Sequence, residues 1–151
     1  MIINAENLIL GRLGTFAAKK ALLGEEVRIV NCKDAVIVGS KEIVLGKYKQ
    51  RIERTTPRKG PFTPKTTERF VKKAIRGMLP YKKERGREAF KRIICYKEIP
   101  ETFKNEKIET LDSFNVLNTK NVNFVRVEEI CKHLGGKQWK QSMSLVKGKV
   151  Q

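Results

Sequence analysis

Residues 27–38 read VRIVNCKDAVIV. Two β-branched runs, Val27 to Asn31 and Ala35 to Val38, flank the polar step Cys32-Lys33-Asp34. Both runs are mostly apolar, which suits strands buried on both faces, the environment of a parallel sheet. Upstream, Ile2-Ile3-Asn4 reads as a short first strand. A helix follows it to about Leu23, with Leu13, Phe16, Ala17 and Ala21 on one stripe and Gly24 as its stop. Downstream, Gly39-Ser40 offers an N-cap to a helix running through Ile43, Val44, Lys47 and Tyr48 to about Arg51. Strand and helix alternate, the pattern of an α/β domain with a mainly parallel sheet.

The character of the chain then changes. Residues 55–65, TTPRKGPFTPK, hold three of the five prolines, and their charges, Arg58, Lys59 and Lys65, are all positive. Proline removes backbone donors and glycine interrupts periodicity, so an extended loop is expected. Thr66 or Thr67 then caps a helix whose apolar stripe is Phe70, Val71, Ala74, Ile75 and Met78, with Arg69, Lys72, Lys73 and Arg76 on the opposite face. Pro80 stops it. A short helix from about Gly86 to Arg92 leads into a strand, Ile93 to Tyr96. Residues 101–123 read mostly as loop, Val127 to Leu134 as a short helix stopped by Gly135-Gly136. One domain is expected over residues 1–138, with 139–151 a basic C-terminal tail.

Charge is the outlier of the composition. The 151 residues carry 33 Lys and Arg against 16 Asp and Glu, a net +17 with a pI near 10. Between Lys47 and Lys97 lie 18 basic and four acidic residues, so this third of the chain holds +14 and the remainder only +3. A solvated surface normally mixes signs. A block of one sign calls for a polyanion, first nucleic acid and then an anionic membrane surface. No apolar run approaches the roughly 18 residues of a membrane span, and no secretory signal is evident at the start.

Chemistry is sparse. LGRLGT (10–15) lies between a strand and a helix, but it is not G-x-G-x-x-G, and Gly39-Ser40-Lys41 lacks the upstream glycine of a phosphate-binding loop. Tight strand-to-helix packing accounts for Gly11 and Gly14. Cys32, Cys95, Cys131 and His133 would make a zinc set on paper, but no C-x2-C pair exists. Odd in number and widely spaced, the cysteines read as buried thiols of a reducing compartment. The lone histidine and the scattered carboxylates give no acid–base pair. No catalysis, cofactor, metal or small-molecule substrate is expected.

GRLGTFAAKKALLGEEVRIVNCKDAVIVGSK (11–41), PRKGPFTPK (57–65) and RGMLPYKKERGREAFKRIICY (76–96) together resemble the large-subunit ribosomal protein L-thirteen family, in its archaeal and eukaryotic form. The GMLP segment with its basic G-R is the most specific part. The short C-terminus favours the archaeal form. The resemblance implies a three-layer α/β/α domain around a four-stranded, mainly parallel sheet. It also implies a structural, ribonucleoprotein role in translation: binding large-subunit rRNA beside neighbouring ribosomal proteins, and supporting subunit assembly in the cytoplasm. No membrane partner is implied. The candidate RNA-binding residues are then Lys47, Lys49, Arg51 and Arg54, followed by Arg58, Lys59 and Lys65 in the proline-rich loop. Arg69, Lys72, Lys73 and Arg76 come next on a helix face, then Lys82, Lys83, Arg85, Arg87, Lys91 and Arg92. Pro80 and Gly86 should turn the chain so that Lys82, Lys83, Arg85 and Arg87 face phosphates. Gly77, within a helical stripe, is expected to mark a close approach by RNA or a neighbouring helix. Neither loop, 55–65 or 81–87, holds enough apolar surface to offset an ordering cost of roughly 1–2 kcal/mol per residue, so both are expected to order on RNA.

Overall fold

The computed structural model describes residues 1–56, 58–103, 105–120 and 123–135; the expected C-terminal tail lies outside them. In chain order the elements are β1 (Ile2–Asn4), α1 (Leu10–Leu22), β2 (Val27–Val30), β3 (Val36–Val38), α2 (Lys41–Glu53), α3 (Thr67–Arg76), α4 (Glu84–Lys91), β4 (Ile93–Cys95), β5 (Phe124–Arg126) and α5 (Val127–His133). Short 3-10 turns fall at Cys32–Asp34, Glu101–Phe103, Asp112–Phe114 and Val116–Asn118.

The α/β class and the mainly parallel sheet are as expected. Strands β1, β2 and β4 form a parallel sheet in the order β1-β2-β4, with Ile3 beside Ile29 and Ile29 beside Cys95. The division of strands differs from the four-stranded sheet implied by the resemblance. β3 leaves the parallel sheet and pairs antiparallel with β5, Ile37 beside Val125. Asn31 explains the departure. Its φ of 55° ends β2 in the left-handed region, which asparagine tolerates, and its side chain donates to Asn4 Oδ1 at 3.0 Å. The chain then turns through Cys32–Asp34 before β3.

Register assigns the two faces of the sheet. Ile3, Val27, Ile29 and Ile93 are fully buried on one face, in a cluster that takes buried residues from all five helices. Ile2 and Val30 face the other way and pack with Phe103, Tyr96, Ile99 and Ile108. That second cover is a 3-10 turn and its flanking chain, where the resemblance implied a helical layer. Each fully buried aliphatic side chain contributes about 1.5–3 kcal/mol.

Local details also differ from the sequence reading. α3 ends at Arg76, so Gly77 is its right-handed C-cap and Met78 lies beyond it, 41 % exposed. Ser40 and Thr66 occupy N-cap positions, but neither side chain makes a cap hydrogen bond. α4 begins at Glu84, two residues early, which brings a carboxylate into its first turn against the helix dipole. LGRLGT is not a loop, because α1 starts at Leu10. Gly14 faces Met78, whose sulfur would lie 2.8 Å from an added Cβ. Its constraint is therefore contact with the chain that follows α3. Gly11 has open space around it.

Gly86 and Gly77 separate cleanly. A Cβ on buried Gly86 would lie 2.2 Å from the Pro80 carbonyl oxygen and 2.4 Å from its carbon, backbone that cannot step aside. A Cβ on Gly77 would meet only Ala74 O at 3.4 Å, so no neighbouring helix approaches it. Gly86→Ala is expected to destabilise the protein by about 1–3 kcal/mol. Gly77→Ala should be neutral or stabilising, by up to about 1 kcal/mol. Paired urea titrations check both; equal midpoints for the two variants would contradict this packing.

Candidate nucleic-acid interface

The third helix divides its two faces sharply. Phe70, Val71 and Ile75 are buried, while Arg69, Lys73 and Arg76 are exposed and Lys72 is half-buried. The proline-rich loop folds back against this basic face. Its path is fixed by Thr55 Oγ1 donating to Pro61 O at 2.9 Å, by a bridge between Thr56 and Gly60, and by Lys73 Nζ donating to the Phe62 carbonyl. Between loop and helix lies a cleft of about 590 Å³. Pro61, Phe62, Pro64 and Phe90 supply its apolar wall; Arg69, Lys72, Lys73 and Arg76 supply its cations.

Aromatic rings set the attitude of several charges. The Lys72 ammonium sits 5.0 Å from the Phe90 ring centre, and the Arg76 guanidinium 4.7 Å from that of Tyr81. Arg51 lies 5.4 Å from the Tyr48 ring. Such contacts contribute about 0.5–1 kcal/mol at exposed sites. Tyr81 in turn meets Phe90 edge-on at 5.5 Å.

Counter-charges are missing here. Among the described residues, no carboxylate ion-pairs with Arg69, Lys72, Lys73 or Arg76. Outside the block, by contrast, Lys20, Lys33, Lys41 and Lys132 each hold a glutamate. The effect shows on Lys73. Partial burial, and then the positive charges of Arg76 and Arg51, lower its pKa below the ordinary lysine value. A phosphate in the cleft would act in the opposite direction.

The remaining candidates are spread around this centre. Lys47, Lys49, Arg54, Arg58, Lys59 and Lys65 are exposed on α2 and the loop, with Lys49 reaching Glu53 at 3.9 Å. Lys82, Lys83, Arg85, Arg87 and Lys91 are exposed on the turn and α4. Arg92 is different. It is half-buried, donates to Ala21 O at 3.3 Å and pairs with Glu88 at 3.7 Å, tying the end of α4 to α1.

The expectation that both loops lack order of their own meets intramolecular braces in each. The first has the contacts above. In the second, Leu79 and Ala89 are buried, Tyr81 packs on Phe90, and Lys83 N donates to Pro80 O at 2.9 Å. The apolar wall itself escaped a reading that sought cations alone. Phe62, 64 % exposed in the middle of a basic proline-rich run, was its available signal.

Of the three thiols expected to be buried, Cys32 and Cys131 are, and Cys95 is half-buried. The neighbouring Cys95 thiol, hydrogen-bonded to Cys32, and then burial raise the Cys32 pKa, and burial pushes Cys131 up to about 12. Among the described residues, no cluster of three or more His, Cys, Asp or Glu is placed to hold a metal ion, and no helix is long and apolar enough to cross a membrane.

Comparison with known proteins bears on this basic surface. Residues 1–102 match the family described as Ribosomal protein L13. Large ribosomal subunit protein uL13 of Thermoplasma volcanium is 44 % identical over 135 residues, 89 % of this chain and 98 % of the relative. The proteins of the same name from Archaeoglobus fulgidus and Methanosarcina barkeri are 37 % and 38 % identical. Those alignments cover 89 % and 90 % of this chain, and 86 % and 98 % of the relatives. With a matched region that takes in the sheet, the cleft and its cations, the chain belongs to the ribosomal protein L13 family.

Proposed function

We propose that this protein is a structural constituent of the large ribosomal subunit, in the cytoplasm, where it binds large-subunit rRNA and supports subunit assembly and translation. The observation that carries the reading is the set of unpaired cations on α3 and around its cleft. They are held on an apolar scaffold, and among the described residues no carboxylate ion-pairs with Arg69, Lys72, Lys73 or Arg76, which leaves their charge to a polyanion. Lys82, Lys83, Arg85 and Arg87 extend the same surface along α4. A-form grooves are poorly read by side chains, so recognition rests on shape and backbone phosphates, with guanidinium groups binding phosphate bidentately. Neighbouring large-subunit ribosomal proteins are the further partners, and the role needs no catalysis. A membrane surface is the weaker alternative. It requires an amphipathic helix with free apolar residues opposite its charge, and in α3 that face is buried in the core.

Two measurements test this. The protein should co-sediment with large ribosomal subunits until high salt. Its affinity for large-subunit rRNA should fall by about a thousandfold or more between about 50 and 200 mM salt if six phosphates are contacted; a flat response would remove the electrostatic basis. The cations should also sort by role. Arg76→Ala is expected to weaken rRNA binding severalfold with little change in urea midpoint. Arg92→Ala should lower stability by about 1 kcal/mol and leave affinity nearly unchanged. The reverse pattern would place Arg92 on the RNA and remove Arg76 from it.

A further inference from the structure

Phosphates alone do not account for the cleft. A surface that reads only a duplex backbone needs exposed cations, and this one adds a concave apolar wall with a large exposed ring. Phe62 is held there by two features. Gly60 adopts φ +82°, a conformation that favours glycine, and an added Cβ would press on Phe62, 3.0 Å from its backbone nitrogen and 3.2 Å from its ring. The Phe62 carbonyl accepts from Lys73, which fastens the residue to α3. A cleft of about 590 Å³ falls within the range of about 300–1,000 Å³ typical of sites that enclose a small organic group.

We propose that this cleft receives one unpaired nucleotide of an RNA strand, its base against Phe62 and Pro64 and its flanking phosphates on Arg69, Lys73 and Arg76. The inference rests on the rRNA-binding reading above and refines it. Bases inside a duplex keep their faces stacked and present only their edges, leaving Phe62 without a partner. A nucleotide turned out of the stack exposes a π-face to the ring and phosphates to the cations, the pairing on which single-strand recognition depends. Lys72, held over Phe90, adds a further positive charge to the cleft lining. Because every base has a π-face, the cleft by itself selects for an unpaired position more than for a sequence.

The full chain can be tested with a single-stranded RNA of about ten nucleotides and with the same strand annealed to its complement. Phe62→Ala is expected to weaken single-strand binding by about five- to 150-fold, the range that stacking of one base supplies. Duplex affinity should stay within about twofold, and Phe62→Trp should restore single-strand binding. Phe62 is exposed, so neither variant should unfold the domain, and a urea titration verifies that. Adenosine monophosphate carries one base and one phosphate without the flanking strand; at about 1 mM it should leave the strand bound. Equal losses for both RNAs, or no loss for either, would overturn the nucleotide site while leaving rRNA binding in place. Displacement by micromolar adenosine monophosphate would overturn the assignment to a strand. Failure of the unaltered protein to bind either RNA would defeat this inference and the rRNA reading together.

Discussion

The attachment of α3 to the sheet through Phe70, Val71 and Ile75 is the contact on which the functional surface depends. A helix with four cations on one face, beside Arg51 and the basic turn, repels itself. Two unit charges about 4 Å apart in water oppose one another by about 1 kcal/mol, and less once salt screens them. Each buried apolar side chain contributes about 1.5–3 kcal/mol. Packing therefore outweighs repulsion, and the charges stay concentrated on a face where, among the described residues, no carboxylate ion-pairs with them. Partial burial first, and then the positive charges of Arg76 and Arg51, hold the Lys73 pKa below the ordinary lysine value in the folded protein.

The second constraint is the close approach of Pro80 to Gly86. It brings the end of the α3 segment against α4 at a point where no side chain fits, and so fixes the position of Phe90 relative to Lys72 and of Tyr81 relative to Arg76. The cleft wall and its flanking charges thus depend on one carbonyl lying over one glycine. Arg92 supports the same corner from the other end of α4 by donating to Ala21 O. These contacts inside the fold distinguish it from neighbours of equal charge.

Periodicity carried most of the fold. The β-branched runs around residues 27–38 and the stripes of α1 and α3 are long or pure enough to show their period, and those elements lie where the sequence places them. β5 is only three residues, Phe124–Arg126, with an exposed residue at either end, too short for any period to emerge. The chain turns out of the parallel sheet at a left-handed asparagine and the 3-10 turn after it, a conformation that composition does not reveal, before β3 pairs with β5. Met78 has the right spacing to continue the α3 stripe, yet the helix stops two residues earlier. The basic surface was legible as a charge imbalance, but charge counting weights Arg92 and Arg76 equally. Half-burial, the ion pair with Glu88 and the hydrogen bond to Ala21 O set Arg92 apart, and the contact with Tyr81 sets Arg76 apart.

Composition argues that the loops cannot order themselves, and the structure shows why that argument is incomplete. Apolar burial is not the only restraint on a loop. Thr55 is hydrogen-bonded to Pro61 O within the first loop, Lys73 of α3 reaches Phe62 O, and Tyr81 rests against Phe90 of α4, so each loop also has a contact to an element that is already folded. Prolines narrow the unfolded ensemble as well, reducing what must be lost on ordering. A surface braced in this way spends less conformational entropy on association than one that folds on its partner, and more of the phosphate attraction remains as affinity. The mixture of restraint and charge then has a spatial logic. Cations held over rings or carbonyls, such as Arg76, Lys72 and Lys73, have their positions set by the fold, whereas Lys82, Lys83, Arg85 and Arg87 stand exposed on the turn and helix beyond them.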